Sequence, residues 1–141
     1  MKEYTTSADI EASPETVWAI LTNAGEYKNW NPEIVEIAGR IALGERIVAR
    51  VRLGSGAVRA VPLRVTALDA PSRMEWIGGL PFGLFTGRRT FTVTPAARGV
   101  EFRLHLEMSG LVSPLILKSV GDRQPEVDSF AAALKARAEK R

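Results

Sequence analysis

The chain of 141 residues has no cysteine and a single histidine. The first absence excludes disulfides, thiolate metal sites and a cysteine nucleophile together, and it suits a reducing, cytoplasmic setting. No apolar run approaches the roughly 20 residues that a membrane-spanning helix needs, so stable membrane insertion is not expected. The opening Met1-Lys2-Glu3-Tyr4 lacks the basic start and apolar core of a secretory leader. Glycine-rich phosphate loops, paired catalytic carboxylates and Ser/His/Asp arrangements are missing, and the aspartates Asp9 and Asp69 have no spacing that suggests a shared metal. Neither a metal nor a cofactor is expected. The net charge is only +3, and the arginines at 46, 50, 52, 59 and 64 alternate with apolar residues. That is the pattern of a solvated sheet face rather than a nucleic-acid footprint.

What is present is one domain's worth of sequence, residues 1–141, with 45% hydrophobic and 25% charged residues. Alternation over residues 4–12 predicts a half-buried strand. Ser13 suits a helix N-cap, with Pro14 at the first helical position and Glu15 favourable to the helix dipole. Val17, Trp18, Ile20 and Leu21 form the core stripe of that helix, and Asn23-Ala24-Gly25 stops it. A second short helix over 26–30 ends at Asn31-Pro32. A weak strand is expected at 34–37. Five more strands follow at 47–53, 61–66, 74–77, 89–94 and 100–108, separated by tight turns; Pro62 hints at an edge or a bulge. Such spacing predicts an antiparallel meander with one dry and one wet face. The period then changes to helical: Ile116, Val120, Arg123, Val127, Phe130 and Leu134 share one face from Ser113 onward. Pro125 predicts a kink or break near 121–124.

This order is the layout of an α+β helix-grip fold. A curved antiparallel sheet of six to seven strands wraps a long C-terminal helix, with two short helices after the first strand. Small residues on the helix (Ser119, Ala131, Ala132) and its central break would leave room on the concave side for an apolar guest; a solid core is the alternative. Parity turns Leu63, Phe91, Leu104 and Leu106 inward, and the helical stripe adds Val120, Val127 and Phe130 to the candidate lining. Trp30 and Trp76 are either core or flat walls for a ring-containing ligand. The apolar stretch 78–85, which includes Phe85, reads as a gate or as a plain hairpin packed on the helix. Arg89 shares parity with Phe91 and Val93 and so points inward, where a guanidinium needs a partner: an internal carboxylate, or the carboxylate or carbonyl of a ligand. On the second option, Arg89→Ala would weaken a carboxylate-bearing ligand and leave folding intact. Arg123 is a second polar candidate, with snorkelling to solvent as its other fate. His105 alternates with Leu104 and Leu106, so it faces outward.

Several short motifs resemble the START/birch-pollen-allergen-like (SRPBCC) superfamily, and within it the polyketide cyclase/dehydrase and lipid transport family. They are residues 13–18 (Ser-Pro-Glu-Thr-Val-Trp), Trp30-Asn31-Pro32, residues 69–76 (Asp-Ala-Pro-Ser-Arg-Met-Glu-Trp), Phe85-Thr86-Gly87 with Thr90-Phe91, Ser109-Gly110-Leu111, and residues 134–139. They span nearly the whole chain in the family's order. The resemblance implies a hydrophobic-ligand cavity, no obligatory metal, and relatives that range from lipid carriers to aromatase/cyclases. The family pattern often places histidine where Arg89 stands and an inward His-x-Glu pair where Leu104 and Leu106 stand. Binding or transport of a small hydrophobic ligand (lipid, sterol-like compound or aromatic polyketide) is therefore the expected function. A polyketide cyclase or dehydratase is the alternative, with only Arg89, Tyr27 and Thr90 as polar candidates. A partner-regulating domain that uses the apolar loop is a third. Whether any reaction is catalysed stays open, as does a homodimer.

Overall fold

The computed structural model describes residues 1–140. Seven strands form one antiparallel sheet in the order β1-β7-β6-β5-β4-β3-β2. They are β1 (Lys2–Ile10), β2 (Ile34–Ala38), β3 (Arg46–Arg52), β4 (Val58–Asp69), β5 (Arg73–Leu80), β6 (Phe85–Ala96) and β7 (Gly99–Ser109). β2 to β7 form the expected meander. β1 closes the sheet on the far side of β7, with Tyr4 opposite Leu106 and Ile10 opposite Val100. Between β1 and β2 lie α1 (Pro14–Thr22), one 3-10 turn and α2 (Tyr27–Trp30). The Ser13 hydroxyl accepts the Thr16 amide at 3.1 Å and caps α1.

The strands run longer than their alternating cores predict. β5 and β6 continue pairing through Gly78↔Gly87 to Leu80↔Phe85. The stretch 78–85 is therefore the end of a hairpin, half strand and half the tight turn over 81–84, and the hairpin reading replaces the mobile gate. Its tip is tied down: Leu111 N–H donates to Gly83 O at 3.2 Å and Val112 N–H to Leu84 O at 2.8 Å. Pro62 pairs with Val48 of β3, beyond the point where β4's pairing to β5 ends at Arg64↔Ile77. The missing donor sits where the ladder is already open, as the edge reading required.

The C-terminal helix is two helices, α3 (Ser113–Val120) and α4 (Gln124–Glu139). The break expected near 121–124 is there, and Gly121 supplies it with φ of +75°. Pro125 opens α4 within its first turn instead of kinking one long helix. α4 packs on β1, β7 and the two N-terminal helices, so it covers one half of the concave face. No helix among the described residues is long and apolar enough to cross a membrane.

Candidate functional site

The concave side is divided. Under α4 it is solid. Phe130 meets Phe91 at 5.7 Å, Phe102 at 6.0 Å and Trp30 at 5.6 Å between ring centroids. Trp76 stands edge-on to Phe91 at 4.7 Å. Such contacts at 4.5–7 Å are the favoured geometry of packed aromatics. Leu104 and Val127 are fully buried in the same core. Of six residues expected in the lining, Trp76, Phe91, Leu104, Val127 and Phe130 are therefore core instead, and half-buried Trp30 packs against that core. The reason is the reach of α4, whose large side chains fill everything beneath it.

Beyond the break the sheet has no large helix above it, and a cavity of about 350 Å³ opens there. Leu63, Phe85, Arg89, Leu106, Val120 and Arg123 line it; strand parity turned Leu63, Arg89 and Leu106 this way, and the helical stripe carried Val120 and Arg123. The sequence reading missed most of the remaining wall, which includes Ile34, Ala49, Val51, Val61, Gly78, Gly87, Met108 and Ile116. The space does not come from small residues on the helix: Ser119 and Ala132 are exposed and Ala131 is packed in the core. It comes from Gly78, Gly87 and Ala49 on the sheet and from the shortness of α4. A side chain at Gly78 is impossible, because a Cβ there would stand 2.4 Å from the Pro62 carbonyl oxygen.

The boundary between solid core and cavity is ionic. Glu33, fully buried, accepts two hydrogen bonds from Arg89, Nη1 to Oε1 at 2.9 Å and Nη2 to Oε2 at 2.7 Å. Arg123 Nη2 donates to the same Oε2 at 2.9 Å. Two guanidiniums thus share one carboxylate. Arg123 also meets Glu126 at 3.7 Å and the Arg52 carbonyl at 3.4 Å, while Arg89 lies 5.9 Å from the centroid of the Phe130 ring. The partner of Arg89 is therefore the internal carboxylate. Arg123 does not snorkel to water, because Glu33 and Arg52 hold its head group inside. Asn31 positions the acid: its Oδ1 accepts the amides of Glu33 at 2.9 Å and Ile34 at 2.7 Å. Glu33 was not singled out from the sequence. No local signal marks it: it stands just before β2, next to inward Ile34, and only the fold brings it to Arg89 of β6 and Arg123 at the helix break.

Burial by itself pushes the Glu33 carboxyl up. The charges and hydrogen bonds of Arg89, then of Arg123, outweigh it and hold the group below the ordinary 4.5. Folding thus favours the ionised form. The stability gained is present above the unfolded value and is lost as pH falls through the lower native one. Denaturation midpoints measured against pH should accordingly drop on the acid side of about 4.5, and Glu33→Gln should flatten that limb. An acid limb of unchanged slope in Glu33→Gln would exclude Glu33 as its source. For Arg89, burial opposes the charge and Glu33 more than restores it.

The remaining polar candidates lie elsewhere. The Tyr27 hydroxyl donates to the Leu21 carbonyl at 2.7 Å, and burial pushes its ionisation far up, so it is a satisfied core phenol. Thr90 pairs with Glu75 and His105 on the outer sheet face. His105 is also outside, 3.0 Å from the Thr5 hydroxyl and 3.3 Å from Glu3.

Comparison with known proteins agrees with this architecture. The family model described as polyketide cyclase / dehydrase and lipid transport matches residues 1–139. The comparison with curated proteins gave no match. Among solved structures, a START superfamily protein from Mycobacterium smegmatis superposes with a TM-score of 0.74 at 18% identity, covering 98% of this chain and 97% of that one. A Thermus thermophilus protein gives 0.74 at 19% identity, with 97% of each chain covered. A Mesorhizobium loti protein gives 0.72 at 21% identity, with 96% and 95% covered. At these identities the likeness is one of fold.

Proposed function

Because the chain belongs to the polyketide cyclase/dehydrase and lipid transport family, we propose that it binds and carries a small hydrophobic molecule in the cavity beside the Glu33–Arg89–Arg123 cluster. The single observation that carries this reading is the lining. Apart from Arg59, Arg89 and Arg123, every side chain on the wall is apolar or absent. Moving an oily surface from water into such a wall is worth about 25 cal/mol per Å². The volume of about 350 Å³ lies near the small end of ligand pockets, roughly 300–1,000 Å³. That favours a single acyl chain or a compact fused-ring compound over an entire membrane lipid.

The cyclase or dehydratase alternative needs a group that exchanges a proton near neutral pH. The ionisable side chains on the wall are arginines, which stay protonated. They can orient a carbonyl or carboxylate but are poor acids and bases, which weighs toward carriage over catalysis. Fluorescence titration with N-phenyl-1-naphthylamine, a neutral apolar dye, tests the reading. Saturable binding at one site, together with a small apolar molecule released from the purified protein in native mass spectrometry, is the expected result. A folded protein that neither binds the dye nor carries a guest would overturn it.

A further inference from the structure

Beside the cavity, reached through Leu80 on its wall, lies a cluster of apolar side chains that the fold leaves in water. Of the seven large hydrophobic residues that are exposed, four belong to this one rim: Phe82 at 94%, Leu111 at 81%, Leu115 at 68% and Leu80 at 48% exposure. Backbone bonds fix them as a group, since Leu111 and Val112 dock on Gly83 and Leu84, and Leu115 N–H bonds back to Val112 O. Leu80 is itself on the cavity wall, next to Phe85. An exposed apolar cluster of this kind marks an interaction surface.

The turn at its tip strengthens the point. Leu84 N–H bonds to Pro81 O across Phe82 at φ of +60° and Gly83 at +70°. Two positive φ angles in a two-residue turn call for Asn-Gly or Gly-Gly. A bulky aromatic is disfavoured at the first position. Folding would be served better by asparagine there, so the phenylalanine is better explained by what it touches outside the molecule.

Charge selects the occupant. The segments nearest the mouth, residues 49–63, 78–89 and 108–121, carry no acidic residue, and Asp122 adjoins the last of them. Arg59 and Lys118 lie on these segments, and neither forms an ion pair among the described residues. The Arg59 guanidinium reaches the Ser119 hydroxyl of α3 at 3.0 Å, which places it on the rim. A second copy of the chain would bring this basic rim against itself, and like charge opposes that. Apolar tips beside unpaired cations match the interface of an anionic bilayer, where side chains enter the headgroup layer and cations meet phosphates.

We propose that the rim formed by Leu80, Phe82, Leu111 and Leu115, with Arg59 and Lys118 beside it, docks peripherally on anionic lipid surfaces. The docking places the cavity mouth against the bilayer and does not depend on which guest the cavity holds. Co-sedimentation with phosphatidylcholine vesicles, with and without phosphatidylglycerol, tests it. Binding should require phosphatidylglycerol and weaken at high salt. Phe82→Asn should lower the partition coefficient about tenfold, because one large side chain no longer leaves water. Its melting temperature should not fall, since Asn-Gly suits the turn. Lys118→Glu should weaken binding to the charged vesicles. Dye binding by Phe82→Asn should equal wild type, which separates this surface from the cavity. Equal binding to both vesicle types, or full vesicle binding by Phe82→Asn, would overturn the proposal. So would a concentration-dependent dimer abolished by Phe82→Asn without vesicle binding, which would assign the rim to a second copy.

Discussion

Glu33→Ala will destabilise the protein by about 3–5 kcal/mol, the usual cost of stranding a buried partner charge. The variant removes the carboxylate that both Arg89 and Arg123 use. Each guanidinium is nearly inaccessible to water, with side-chain exposures of 8% and 2%, so hydration cannot replace the lost bonds. Two like charges are left facing each other in a region of low polarisability, with Glu126 at 3.7 Å from Arg123 as the remaining acid. For a domain of this size the melting temperature should fall by more than about 10 °C. Replacing Glu33, Arg89 and Arg123 together by methionine or leucine should recover much of that loss, because the only charge left without its partner is the less deeply buried Glu126. A thermal scan of Glu33→Ala within a degree or two of wild type would show that the cluster is dispensable for folding. The same reasoning corrects the expectation that Arg89→Ala leaves folding intact. That variant leaves a buried carboxylate with Arg123 alone, so a weaker ligand affinity measured in it would be confounded by lost stability.

Gly87→Leu will abolish occupancy of the cavity without unfolding the chain. Gly87 has the parity of Arg89 and lies on the cavity wall. A Cβ at this position would find its nearest neighbour, the Phe85 ring, at 3.7 Å, an ordinary contact. No positive φ is recorded for it, unlike its neighbour Gly79 at +142°, so a side chain adds no backbone strain. The leucine then extends into space of about 350 Å³ and competes directly with any guest. Dye affinity should drop at least tenfold, which corresponds to about 1.4 kcal/mol. Stability should hold or rise, since filling a void and removing glycine both favour the folded state. Undiminished dye binding by folded Gly87→Leu would place the binding site elsewhere.

The sequence alone carried the fold far. Period-two alternation marked the strands, period 3.6 marked the end of the chain, and Ser-Pro pairs marked two helix starts. Gly121 and Pro125 announced the break between α3 and α4. Parity also turned Arg89 inward, because a strand has two faces and the choice between them is local. Parity is silent on position along the sheet. Phe91 and Arg89 share a face, yet Phe91 lies under α4 in the aromatic core while Arg89 lines the cavity.

Local patterning therefore determined which elements form and which way each side chain turns. Tertiary structure decided what each side chain meets: that α4 fills one half of the grip, that Glu33 crosses from the start of β2 to neutralise two distant arginines, and that Phe82, Leu111 and Leu115 gather on one rim. The physical reason is range. Backbone preference and amphipathic period act over a few residues, whereas these contacts join distant positions, 56 and 90 residues apart for Glu33 with Arg89 and Arg123, and exist only once the sheet has curled around the helix.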